Sequence, residues 1–285
     1  MSDDEGSRPE DGRRGGSDRL VYRHSGWTRM THWLWAISLF FLLVSGLQIF
    51  NAHPALYIGE ESGFAYDNAV LRIGAENAEG GPVGYAEVLG YRLPTTGVLG
   101  LSERGGRPEA RGFPAWATLP SYHDLASGRV VHFFFAWILG ATLLAWLLAS
   151  LAGGHLWRDI VPRRRDLAAL PADIGDHARF RFHRRHEYGS RQKLAYAGVL
   201  LVIFPLVVAT GLAMSPGMNA FAPWLPELFG GRQTARTLHF AAMVALVLFF
   251  VVHILMVLAA GPLNEMRSMI TGWYRTDPAK EGDDR

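Results

Sequence analysis

Residues 235–256 read ARTLHFAAMVALVLFFVVHILM, a segment apolar enough to live in lipid that carries two histidines, His239 and His253. An ionisable side chain inside a bilayer is costly, so each of these histidines needs a reason. They are fourteen positions apart. At about 100° per residue this closes nearly four helical turns, so both imidazoles leave the helix on almost one face, roughly 21 Å apart along its axis. One helix can thus supply a ligand to each of two sites stacked across the membrane.

Three other runs resemble this one in composition. The four cover about 33–50, 130–152, 194–214 and 238–260, and none contains Asp, Glu, Lys or Arg. A membrane helix needs about 20 apolar residues, and in lipid only helices or closed barrels satisfy their own backbone. The runs lack the period-two alternation of a barrel strand. The expected fold class is therefore all-α: an integral membrane four-helix bundle with spans at about 28–50, 129–152, 191–214 and 236–260. The first run has about thirty polar residues before it and no clear small-residue cleavage site after it, so it reads as an uncleaved span.

Charge placement orients the bundle. The formal net charge of +2 says little, but of 28 Lys and Arg, 20 fall in 1–31, 153–193 and 261–285. The positive-inside rule then predicts a multi-pass membrane protein with both termini and the loop before Leu194 cytoplasmic. Residues 1–20 are charged and Gly-rich, too poor in apolar groups to offset chain entropy, and are expected to be a disordered cytoplasmic tail. The membrane domain is expected over 21–275, with a second cytoplasmic tail over 276–285. An extracytoplasmic loop over 51–128, rich in Gly, Pro and aromatic residues, reads as a cap or docking surface, because loops of that length tend to be functional. Arginines at 162–167 and 179–193 fit topology and attraction to anionic lipid headgroups. Nothing beyond them suggests nucleic acid.

The chain has no cysteine. Disulfides, iron–sulfur clusters, thiolate metal sites and the CxxCH attachment of a c-type haem are excluded together. Four of its eleven histidines lie in or at the edge of the apolar runs: His32, His132, His239 and His253. Depth pairs them. His32 and His253 sit toward the cytoplasm, and His132 and His239 toward the outside. Two imidazoles between helices, with no carboxylate or thiolate, suit the axial positions of a haem iron better than zinc, which wants four ligands. Two b-type haems follow, each six-coordinate and so fitted to move electrons rather than activate oxygen.

Two further regularities accompany the histidines. Gly46 lies fourteen residues after His32, giving a flat macrocycle relief at the depth of the other site. Helix packing against a small residue accounts for it equally well. The spacing RxxH recurs as Arg29 before His32, Arg129 before His132 and Arg236 before His239. It places an arginine one turn nearer water, where it can meet a haem propionate or simply anchor a helix end. The alternative for the whole set is a histidine-based transporter or proton channel without haem, which would want carboxylate partners or helix breaks at mid-membrane. Pro205 alone suggests a break.

The stretches RMTHWLW, GRVVHFFFAW, QKLAYAGVLLVIFPLVVATGLAMSP, ARTLHF and VVHILMVLAAGP resemble the bacterial di-haem cytochrome b family of cytochrome b561 type. That family includes the cytochrome b subunits of nickel–iron hydrogenases, formate dehydrogenases and thiosulfate reductases. The resemblance covers roughly 22–275. It implies an electron-transfer subunit between the quinone pool and an extracytoplasmic oxidoreductase, with no independent substrate chemistry. HPALYIGE, WATLPS and RSMITGWY look similar to a subgroup whose implied partner is a periplasmic molybdopterin oxidoreductase related to sulfite oxidase. Relatives often carry Tyr-Asn-x-x-Gln-Lys before the third span. Here YGSRQK sets Gly189 in the place of that Asn, and His186, Tyr188 and Gln192 are the candidates for quinone contact.

Overall fold

The computed structural model describes residues 19–154, 156–161 and 190–276. Four helices in it are long and apolar enough to cross a membrane: α1 (Gly26–Phe50), α2 (Leu125–Ala152), α3 (Leu194–Ala213) and α4 (Arg232–Ala260). The chain is a multi-pass membrane protein. The boundaries at 28, 129 and 236 expected from apolarity fall short by two to four residues, because each helix continues into polar sequence once its first N–H groups find acceptors. Asp124 provides one such acceptor, capping α2 by receiving the Ser127 N–H at 2.9 Å. α3 is irregular where Pro205 intrudes. Proline has no N–H and clashes with the carbonyl four residues back, and the turn ahead of it, Gly198–Ile203, widens to π-helical geometry.

The chain divides into two compact units, Met1–His32 with Val252–Arg285, and Trp33–Val251. In the larger unit the helices put large apolar side chains such as Phe40, Trp137 and Leu248 outward and keep Ser38, Ser45 and Thr210 inside. This reverses the soluble pattern, as lipid permits. Trp35 of α1 donates its indole N–H to Thr142 of α2 at 3.0 Å and meets Trp146 and Phe204 edge-on. Phe41 stacks on Phe135 at 4.4 Å between centroids.

The stretch expected as a loop over 51–128 is folded, which corrects the all-α expectation. β2 (Ala55–Tyr57), β3 (Ala69–Ala78), β4 (Gly81–Val88) and β5 (Tyr91–Pro94) form an antiparallel sheet in that order, and β6 (Gly100–Arg104) pairs with β7 (Arg107–Arg111) as a hairpin. Gly84 lies so close to the backbone of Leu99 and Leu101 that no Cβ fits, and Gly100, at positive φ, packs on the Gly74 carbonyl in the same way. The sheet's core of Leu56, Ile73 and Ala86 includes Phe50 from the end of α1 and receives Phe240 from α4. The sheet therefore rests on the ends of two membrane helices. Between α3 and α4 the chain makes two short helices, Pro216–Phe221 and Trp224–Leu228.

In the smaller unit β1 (Arg19–Tyr22) pairs antiparallel with β8 (Trp273–Thr276). Tyr22 meets Trp273 edge-on at 5.3 Å, and Arg23 reaches Glu265 of α5 (Pro262–Thr271) at 3.4 Å. Residues 19 and 20, expected in the tail, belong to this ribbon, as does Thr276; residues 1–18 and 277–285 lie outside the described residues.

Candidate functional site

The larger unit brings His132 of α2 and His239 of α4 together with ring centroids 6.3 Å apart. Each ring is held from behind by a neighbouring helix in the same way. Ser45 Oγ of α1 lies 3.2 Å from His132 Nδ1, and Thr210 Oγ1 of α3 lies 3.1 Å from His239 Nδ1. The following residue is glycine both times. A Cβ on Gly46 would come within 3.2 Å of the His132 ring, and one on Gly211 within 3.4 Å of the His239 ring. Both hydroxyl residues are completely buried. With Nδ1 engaged on each imidazole, Nε2 is the nitrogen left for a ligand.

The spacing tests whether a haem iron fits. A metal–imidazole bond is about 2.0–2.1 Å and a ring nitrogen lies about 1.1 Å from its centroid, so two trans imidazoles on one metal have centroids about 6.3 Å apart. The His132–His239 pair has this separation. In the smaller unit His32 and His253 have it too, again 6.3 Å. Both expected pairs therefore exist, and both fit the axial ligand set. Among the described residues no cluster of three or more His, Asp or Glu side chains converges on a metal site.

Several elements fix the depth of the larger unit's pair. The start of α4 is capped by the loop after β2: Gln233 and Thr234 N–H donate to the Gly59 carbonyl, Arg232 N–H to Glu60, and Thr237 to the Tyr57 carbonyl at 2.6 Å. Gly231, at positive φ, approaches Gly59 too closely for any side chain. At the end of α1, Asn51 exchanges two hydrogen bonds with the Phe113 backbone. Gln48 accepts from Arg111, whose side chain is wholly buried and also donates to Thr118, the Ser121 carbonyl and Glu109. Gly128, one turn before His132, packs on Gln48.

The three RxxH arginines are placed less uniformly than their spacing suggests. Arg236 donates to the His53 carbonyl and lies 5.6 Å over the Phe50 ring. Arg129 lies over Phe133 of its own helix. Arg29 donates to the Ile270 carbonyl, and its Nε is buried without a partner among the described residues. His186, Tyr188 and the side chain of Gln192 lie outside the described residues. Sequence reasoning missed Ser45, Thr210 and Gly211. The signal was present as the pair Ser-Gly-Leu at 45–47 and Thr-Gly-Leu at 210–212, each a hydroxyl beside a glycine inside an apolar span.

Among known proteins, residues 23–272 match the family model described as prokaryotic cytochrome b561. The chain is 26% identical over 243 residues to the putative protein-methionine-sulfoxide reductase subunit YedZ1 of Azospira oryzae, covering 85% of this chain and 92% of that relative. No solved structure matches it.

Proposed function

We propose, from the premise that the chain belongs to the prokaryotic cytochrome b561 family and is a membrane haem b electron-transfer subunit, that it binds two b-type haems. His132 and His239 ligate one iron, and His32 and His253 the other. The observation that carries this reading is the recurrence of one centroid separation, 6.3 Å, in both histidine pairs. When bound, each haem would supply a one-electron couple. The chain's own residues hold the imidazoles, exclude water and set the local field.

The two haems serve as a wire between the quinone pool and an oxidoreductase partner outside the cytoplasm. The relative named as a reductase subunit supports such a partner, and a molybdopterin enzyme is the class we favour. The folded insertion over 51–124 is its dock, with exposed aromatic side chains at Phe64, Tyr91 and Trp116. The charge distribution supports cytoplasmic termini and a periplasmic insertion. Arg29, with a buried donor to spare, is the best of the three RxxH arginines for a propionate; Arg129 and Arg236 are the other two.

The test is a reduced-minus-oxidised visible spectrum of purified protein with haem quantified per chain. Two haems are expected in the parent and one in His239→Ala. A parent without haem, or a His239→Ala variant that keeps both, would refute the assignment.

A further inference from the structure

The contacts behind the His132 and His239 rings assign a direction to two protons. A serine or threonine hydroxyl has one proton to give and two lone pairs to receive with, whereas a carbonyl can only accept. Ser45 Oγ lies 2.5 Å from the Phe41 carbonyl, and Thr210 Oγ1 lies 2.6 Å from the Leu206 carbonyl. Each hydroxyl therefore spends its proton on the carbonyl four residues back in its own helix. The oxygen turned to Nδ1 is then an acceptor, and the imidazole must carry its proton there. The arrangement is repeated on α1 and α3 around two different histidines, and both hydroxyls are fully buried.

Resting on the ligation reading above, we propose that Ser45 and Thr210 are positioning residues that lock the Nδ1–H tautomers of His132 and His239 and hold down the midpoint potential of the haem between them. A chain running N–H to hydroxyl to carbonyl polarises along its length. It gives Nε2 more electron density, and a stronger donor favours the ferric over the ferrous iron. Removing one hydroxyl takes that acceptor away from Nδ1–H, so the couple becomes easier to reduce. At fixed potential the reduced-to-oxidised ratio of this haem rises about three- to tenfold, the upper figure being an upward shift of about 59 mV for one electron.

The experiment is a redox titration of purified holoprotein, followed in the visible α-band, for Ser45→Ala, Thr210→Val and Thr210→Ser. Val keeps the size of Thr without the hydroxyl, and Ser keeps the hydroxyl without the methyl. The expected result is a raised potential for one haem in Ser45→Ala and Thr210→Val, with Thr210→Ser at the parental value and the haem of His32 and His253 unmoved. Haem loss from Thr210→Val with retention at parental potential in Thr210→Ser supports the same role. Full haem content with unmoved potentials in both hydroxyl-free variants overturns the proposal, as does a Thr210→Ser shift equal to that of Thr210→Val. Neither result touches the ligation reading, which stands or falls on haem loss in His239→Ala.

Discussion

Enlarging Gly46 is the sharpest perturbation of the ligand cage that leaves every ligand in place. A Cβ at that position would stand 3.2 Å from His132 Cε1 and 3.5 Å from Nδ1. Carbon atoms rest at about 3.5–4.0 Å, so an alanine intrudes by about 0.3–0.8 Å and a leucine adds three more carbons to the same space. The ring must retreat from Gly46, and the 6.3 Å separation that fits one iron is lost. Overpacking of this kind costs about 1–3 kcal/mol. At about 1.4 kcal/mol per decade this is about 5- to 150-fold in haem dissociation constant, alanine at the low end and leucine at the high end. The helix itself does not suffer, since replacing Gly in a helix interior gains up to about 1 kcal/mol in propensity. Haem content per chain by pyridine haemochrome, together with helicity by circular dichroism, separates the two effects. Gly46→Leu is expected to fold with one haem, and Gly211→Ala, where the contact is looser at 3.4 Å, to lose less than Gly46→Ala. Two haems with parental potentials in Gly46→Leu would refute the reasoning.

Arg111→Ala strips four hydrogen bonds made by a wholly buried guanidinium and leaves the buried Gln48 Oε1 without that donor, at a cost of about 1–3 kcal/mol. Limited proteolysis of solubilised protein is expected to cut within 51–124 at least tenfold faster, and an unchanged rate would contradict the tether between insertion and α1. His24 is pushed below its ordinary value by burial and then by Arg23 and Arg29, and His53 by burial and then by Arg236. Both bind protons less readily folded than unfolded, so their stability contribution is full above the ordinary value of 6.5 and is lost as pH falls through it. The thermal midpoint is expected to drop between about pH 7.5 and about pH 5.5, less steeply in His53→Gln. A drop just as steep in that variant would remove His53 from the account.

The four spans and the meeting of each histidine pair were legible in the sequence because lipid imposes long uncharged runs and helical periodicity converts spacing into facing. RxxH was legible as spacing but did not foretell that Arg236 would spend its donor on the His53 carbonyl. The insertion read as a loop because even its longest strands, β3 and β4, are interrupted by Gly and Pro and carry charged residues. Its apolar positions are completed only by Phe50 and Phe240, which lie outside it in the chain.

What the sequence determined by itself was whatever depends on one helix at a time: which segments enter the membrane, and that His239 and His253 share a face. What the tertiary structure decided was everything that needs two helices at once. Ser45 and Thr210 look like ordinary small residues until α1 and α3 set them behind the rings of α2 and α4. Periodicity fixes direction about a single axis, whereas a hydrogen bond of 3.1 or 3.2 Å depends on the packing distance between axes, where Gly46 and Gly211 leave the rings room.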